Sequence, residues 1–130
     1  MGMSASGLAE WLGQELLPLG GVPLIVLAAL VVAMVVVITE FASNIAAASA
    51  IMPVVAALAA ALGADPILLA LPAAFAASWG FMLPSGTGPN AIAWATRHVA
   101  LPRVLKAGFA LDIAGIVLII GVVWSVAGLR

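Results

Sequence analysis

The sequence contains no cysteine and a single histidine, His98. The absence of cysteine excludes a disulfide framework, a thiolate metal site and a cysteine nucleophile. One histidine is also too few for a metal site built on several imidazole ligands. Catalytic and metal centres that depend on these residue types are therefore excluded.

Charged side chains are nearly as scarce. They make up 7% of the 130 residues, whereas hydrophobic residues make up 66% and the mean hydropathy is +1.35. Soluble domains typically contain about 25% charged and about 45–50% apolar residues. A net charge of −1 offers no basic surface to nucleic acid. The composition thus excludes an ordinary soluble domain and predicts the lipid bilayer as the partner, with no nucleic acid.

The few charges leave long uncharged stretches, at Leu16 to Thr39, Phe41 to Ala64, Pro66 to Thr96 and Ile113 to Leu129. Each is near or above the length of about 18 residues that is typical of a transmembrane helix. At about 20 residues per span, only four or five membrane segments fit, which is too few for a complete multi-span transporter. We predict an all-α integral membrane protein that passes several times through the cell (inner) membrane.

Proline and glycine positions divide the chain into segments. We predict an amphipathic lead-in at 1–21, a re-entrant helical hairpin at 22–62, a broken transmembrane helix at 66–96 and a terminal transmembrane helix at 104–127. Basic residues gather between the last two segments, at Arg97, Arg103 and Lys106. By the positive-inside rule, that connection lies on the cytoplasmic side.

Polar residues interrupt the apolar sequence at Thr39 to Asn44 and again at Ser85 to Asn90. Each interruption is either a simple loop or kink, or irregular backbone at membrane depth, which must be buried in protein or line a water-filled cavity. Two interrupted hydrophobic segments are the sequence pattern that best indicates a transporter site at the midplane. Neither interruption contains paired acid and base groups, so we expect no enzymatic activity.

Two acidic residues lie inside the apolar segments. We expect Glu40 to be an interfacial residue or an acceptor for backbone N–H groups at the turn, because its charge would repel an anionic substrate. Asp112 is expected to pair with Lys106 or Arg103. In the same segment, glycines recur at close to seven-residue spacing and predict close helix packing, at Gly108, Gly115, Gly121 and Gly128.

The stretch ITEFASNIA at 38–46, followed by LPSGTGPNAI at 83–92, resembles the C-terminal half of the divalent anion:sodium symporter family. That family includes carriers of dicarboxylates, citrate and sulfate. The likeness extends from the lead-in at 7–12 to the tail at 103–115 and so covers nearly the whole chain. It implies one half of an inverted-repeat transporter, with a re-entrant helical hairpin beside a broken transmembrane helix and a terminal transmembrane helix.

The resemblance also implies a sodium ion as the coupling ion. Its site would be formed by Thr39, Ala42 and Asn44, together with the backbone around Gly86.

Anion contacts are implied for Ser43 and Asn44, with Thr87 nearby and Ile45 at the third position of the tip. The family pattern has threonine where this chain has Ile45. The missing hydroxyl would remove a hydrogen bond to a charged oxygen, which costs about 1.5–3 kcal/mol, or roughly one to two decades in affinity.

The implied function is sodium-coupled symport of a di- or tricarboxylate or sulfate anion, with this chain as the C-terminal portion. The N-terminal repeat, which would supply the other half of the substrate site, is absent. We therefore expect the chain to be inactive alone and to need the missing N-terminal half or a homo-oligomer partner. The alternative is a small membrane scaffold or assembly protein, in which the glycine stripe docks partner helices and the polar residues only kink the chain.

Overall fold

The computed structural model describes residue 11 and residues 20–96, 98 and 100–127. Most of the lead-in predicted at 1–21 therefore lies outside the described residues. The described part is helical and contains no strand, and its helices are α1 at Leu24–Phe41, α2 at Asn44–Leu62, α3 at Ile67–Ala76, α4 at Gly88–Ala95 and α5 at Leu101–Ala127.

The helices α1, α2 and α5 are long and apolar enough to cross a membrane, and α3 is a shorter apolar helix. Their outward faces carry exposed large apolar side chains, such as Leu30 on α1 and Val117 on α5. An apolar exterior is what a lipid environment requires. The prediction of an all-α membrane protein is confirmed.

Local sequence explains the turn between α2 and α3. Gly63 ends α2 in the left-handed conformation with φ 59°, and its N–H donates to the carbonyls of Ala59 and Ala60. Glycine adopts this conformation without steric cost, which is why it commonly ends helices. The carboxylate of Asp65 then accepts a hydrogen bond of 2.9 Å from the N–H of Ile67 and caps α3.

The short helix α3 lies at the centre of the bundle, in contact with α1, α2 and α5. Its Leu69 is fully buried, as are Val32 and Val35 of α1 and Val55 of α2. Burial of a side chain of this size stabilises the fold by about 1.5–3 kcal/mol when the alternative is water. The central position of α3 brings the chain that follows it between α1 and α5.

The glycines of α5 pack against that following chain rather than against another helix. A Cβ atom at Gly108 would lie 2.3 Å from the Cα of Met82, and one at Gly115 would lie 1.9 Å from the indole Nε1 of Trp79. Gly121 has nothing within 4 Å, and Gly128 lies outside the described residues. Among the three glycines of the predicted stripe that the structure describes, the first two are closely packed.

Candidate ion and anion site

The last turn of α1 contacts both interruptions of the apolar sequence. Thr39 is 0% exposed, and its hydroxyl oxygen lies 2.7 Å from the carbonyl oxygen of Ala77 and 3.0 Å from the side-chain oxygen of Asn44. Asn44 opens α2, whereas Ala77 is the residue that directly follows α3. A single buried hydroxyl thus joins the tip between α1 and α2 to the beginning of the broken segment.

These atoms bring neutral polar groups together at one point. The Thr39 hydroxyl lies within hydrogen-bond distance of the Ala77 carbonyl and of the side-chain amide of Asn44. Carbonyl, amide and hydroxyl oxygens are the donors that hard cations prefer. Thr39, Asn44 and Ala77 therefore offer oxygen atoms of the types that a small cation binds.

The other residues of the predicted sodium site lie close to the same turn of α1. Ala42 follows α1 in the extended conformation, at φ −123° and ψ 157°. Gly86 is buried, and a Cβ atom placed on it would lie 3.4 Å from the carboxylate oxygen Oε2 of Glu40. The structure therefore brings Thr39 and Asn44 into direct contact and places Gly86 against the next residue of α1.

The predicted anion contacts Ser43 and Thr87 occupy equivalent positions, each capping the N-terminus of a helix. Ser43 accepts a hydrogen bond of 3.2 Å from the N–H of Ala46 in α2, and Thr87 accepts one of 3.3 Å from the N–H of Asn90 in α4. A hydroxyl that accepts in this way still has its own proton to donate. Helix N-termini also favour negative charge, so both caps have the chemistry that an anion requires.

Two further side chains lie near these caps. The hydrocarbon side chain of Ile45 is 80% exposed at the start of α2. Within the described part of the chain, the side-chain nitrogen of Asn90 is a buried donor without a hydrogen-bond partner. Buried donors are normally paired, so an acceptor at this position would stabilise the site.

Glu40 performs a different task from the oxygens around Thr39. It is 1% exposed, and its two carboxylate oxygens accept hydrogen bonds from the N–H groups of Met82, at 2.8 Å, and of Leu83. Glu40 therefore accepts from backbone N–H groups, as expected. The donors belong to the broken segment, however, and not to the turn after α1.

Asp112 of α5 completes the contacts of this segment. Its carboxylate is buried and accepts a hydrogen bond of 3.3 Å from the N–H of Phe81. Arg103 and Lys106 are exposed, so the expected ion pair with one of them is wrong. A buried backbone N–H at membrane depth has a greater need of an acceptor than an exposed lysine or arginine, which water already solvates.

The interruption of the third segment begins earlier than its polar sequence suggests. Helix α3 ends at Ala76, well before the run that starts at Pro84. The N–H groups of Phe81, Met82 and Leu83 are paired with carboxylates of α5 and α1 instead of with helical carbonyls. In the same segment, the indole of Trp79 donates a hydrogen bond of 3.0 Å to the carbonyl of Leu111. The carbonyl of Ala77 is the buried partner of Thr39 that sequence reasoning missed, since alanine carries no signal. Gly80 was the available clue, because a Cβ there would lie 3.0 Å from Thr39.

The fold and the site together define a class. Apolar helices long enough to cross a membrane enclose buried oxygen atoms at two interruptions of the apolar sequence. That combination is typical of a membrane transport protein.

The chain matches the family described as "Sodium:sulfate symporter transmembrane region" over residues 1–129. It belongs to this family of sodium-coupled anion transporters. The resemblance stated from the two motifs is confirmed, as is the prediction that the protein is not an enzyme, since its relatives are transporters.

Curated relatives include the sodium-dependent dicarboxylate transporters SdcS of two staphylococci. The protein of Staphylococcus saprophyticus is 41% identical over 123 residues, which cover 95% of this chain and 24% of the relative. That of Staphylococcus aureus (strain USA300) is 41% identical over 125 residues, which cover 96% and 24% respectively. The chain thus spans about a quarter of the length of the relatives it matches.

Proposed function

We propose that this chain forms the C-terminal part of a sodium-coupled symporter for divalent anions, either di- or tricarboxylates or sulfate. The observation that carries the proposal is the set of neutral oxygens around the buried hydroxyl of Thr39. The names of the family and of the relatives support the same ion and the same class of anion.

Sodium would be a transported substrate of the complete protein and not a resident cofactor. Its proposed ligands are Thr39 and Asn44, with backbone oxygens at Ala42, Gly86 and Ala77. Ala77 is added because its carbonyl lies 2.7 Å from the Thr39 hydroxyl. Freed backbone carbonyls at broken helices commonly supply such ligands in transporters.

The anion is proposed to bind at the helix N-termini of α2 and α4. Ser43, Asn44 and Thr87 would donate to its oxygens, and the unpaired amide of Asn90 supports a binding position at the start of α4. Ile45 would line the same position without a hydrogen bond. A cation bound beside two helix N-termini adds positive charge, which favours an anion there and couples the two substrates.

The proposed arrangement in the membrane is a re-entrant hairpin at 22–62 beside a broken helix at 66–96 and a terminal helix at 104–127. This part of the transporter would lie in the cell (inner) membrane and would be completed by an N-terminal half or by a second copy. We expect no transport by the chain alone, because one half of the anion site is then missing.

A chimeric transporter tests the function. The matching C-terminal quarter of the Staphylococcus aureus SdcS transporter is replaced by this chain, and uptake of labelled succinate, citrate and sulfate is measured in sodium and in choline. We expect sodium-dependent uptake of at least one anion. Thr39→Val and Asn44→Ala should reduce the apparent sodium affinity at least tenfold, because each removes an oxygen from the site.

Thr96→Val is the matched control for Thr39→Val. The hydroxyl of Thr96 is exposed and donates to the carbonyl of Ala93, so its removal should leave uptake unchanged. A single cysteine at position 45, where the side chain is exposed and supplies no proposed ligand oxygen, tests the topology in the same chimera. Labelling from outside that sodium reduces supports a re-entrant hairpin, whereas free labelling from the cytoplasm, with no sodium-dependent uptake, favours a scaffold.

A further inference from the structure

The irregular segment Phe81–Leu83 is held by acidic side chains from two different helices. Glu40 of α1 binds the N–H groups of Met82 and Leu83, and Asp112 of α5 binds the N–H of Phe81. Three consecutive backbone donors are therefore satisfied by two buried carboxyl groups. We call this arrangement the acid clamp.

The acid clamp is connected to the proposed sodium ligands at two points. On α1, Glu40 directly follows Thr39 in the last turn of the helix. On the segment that the clamp binds, the carbonyl of Leu83 accepts a hydrogen bond of 3.1 Å from the N–H of Gly86. The segment between Ala77 and Gly86 therefore has its middle fixed to the same turn of α1 that carries the Thr39 hydroxyl.

We propose that Glu40 and Asp112 are positioning residues of the sodium site, which set the places of the Ala77 and Gly86 backbone without touching the ion. This inference rests on the proposed function, since it assumes that the ion is bound at Thr39. The two acidic side chains would act by holding backbone N–H groups in place and would contact neither the sodium ion nor the anion.

The two positions differ in how many acceptors they must provide. Glu40 uses both carboxylate oxygens, so glutamine would place an NH₂ group against a backbone N–H. Asp112 uses one oxygen toward Phe81, and its carboxyl group lies within hydrogen-bond reach of Glu40. An asparagine there keeps the acceptor for Phe81 and offers a donor to Glu40. Glu40→Gln should therefore disrupt the acid clamp, whereas Asp112→Asn should preserve it.

The experiment uses the full chain in lipid nanodiscs, with sodium replaced by choline at constant ionic strength. Sodium binding is followed by NMR through the carbonyl carbon of Ala77 and the amide of Gly86. Glu40→Gln should lower sodium affinity at least tenfold and shift both signals even without sodium. Asp112→Asn should keep the affinity within about twofold.

Two further variants complete the design. Asp112→Leu removes the acceptor of Phe81 and should weaken sodium binding severalfold. This variant tests the positioning role if Glu40→Gln fails to fold. Asp65→Asn is the matched control, because Asp65 is an exposed helix cap distant in sequence from the clamp; it should change neither signal.

The outcomes separate the two proposals. If the unmodified chain shows no sodium response, the sodium site is wrong, and the signals of Ala77 and Gly86 in Glu40→Gln still show whether the clamp sets their positions. If sodium binds but Glu40→Gln and Asp112→Leu leave both its affinity and these signals unchanged, the positioning role is overturned. Equal losses for Glu40→Gln and Asp112→Asn would show that charge, not the number of acceptors, is what matters.

Discussion

The two interruptions of the apolar sequence are built in opposite ways. Between α1 and α2 the chain turns within Ala42 and Ser43, and the side chain of Ser43 is exposed. Between α3 and α4 it runs from Ala77 to Thr87, and its backbone is bound by buried carboxyl groups and by the packing of α5. The first interruption keeps its polar groups available, whereas the second uses the polar groups of its neighbours.

The proposed ligands occur at both interruptions, but the backbone from Ala77 to Gly86 also needs support from its neighbours. A short capped turn needs few partners. A long irregular stretch at membrane depth must have each buried N–H paired, because an unpaired one costs several kcal/mol. Changes to the turn should therefore act mainly on affinity, whereas changes around the irregular stretch should lower stability and, where they move Ala77 or Gly86, affinity as well.

The largest effect is expected from Gly108→Ala, which tests the packing of the irregular stretch between α3 and α4. The new Cβ would lie 2.3 Å from two backbone positions, Met82 Cα and the Phe81 carbonyl oxygen, and backbone atoms cannot move aside cheaply. We expect destabilisation of about 1–3 kcal/mol or more, measured as thermal unfolding of the chain in detergent by tryptophan fluorescence.

Gly121→Ala is the matched control for Gly108→Ala. Nothing lies within 4 Å of a Cβ at Gly121, and alanine has the higher helix propensity by about 1 kcal/mol. Its unfolding temperature should stay equal or rise. An equal loss of stability in both variants would mean that the irregular stretch between α3 and α4 is not packed against α5.

Ile45→Thr tests the turn and should act on affinity. The side chain is 80% exposed at the start of α2, so a threonine fits without crowding and offers a hydroxyl to the anion. We expect apparent anion affinity in the chimera to rise roughly ten- to hundredfold, which corresponds to a hydrogen bond of about 1.5–3 kcal/mol to a charged group.

Ile45→Val is the comparison variant, since it changes shape without adding a hydroxyl and should leave anion affinity close to that of the parent. A loss of thermal stability in Ile45→Thr with no change in uptake would assign Ile45 to the fold and contradict its place in the anion site.

Trp79→Phe is expected to have the smallest effect. It deletes the hydrogen bond of 3.0 Å to the carbonyl of Leu111 but keeps an aromatic ring beside Phe81, which Trp79 meets edge to face with ring centroids 5.5 Å apart. The loss should be about 0.5–1.5 kcal/mol in stability, visible in thermal unfolding followed by circular dichroism. A change in sodium affinity with normal stability would contradict the division between turn and support.

The sequence predicted the helices well because apolar length is a direct signal of a membrane span. It also located the first interruption and, through proline, glycine and polar residues, the later part of the second, which begins at Ala77. It could not predict the partners of Asp112, since a carboxylate can pair with a nearby lysine or with a backbone N–H brought in by the fold. The carbonyl of Ala77 was equally hidden, because every residue has one and only tertiary packing decides which is used.

The contacts of Phe81 to Leu83 also constrain the order in which the protein can be assembled. Glu40 is synthesised well before these residues, so two of their N–H groups have an acceptor as soon as α1 is in place. The acceptor for Phe81 is on α5, which emerges last among the described helices. Until then the segment has an unpaired donor that lipid cannot satisfy. The hydrogen bonds of the broken segment are therefore complete only after α5 has been synthesised.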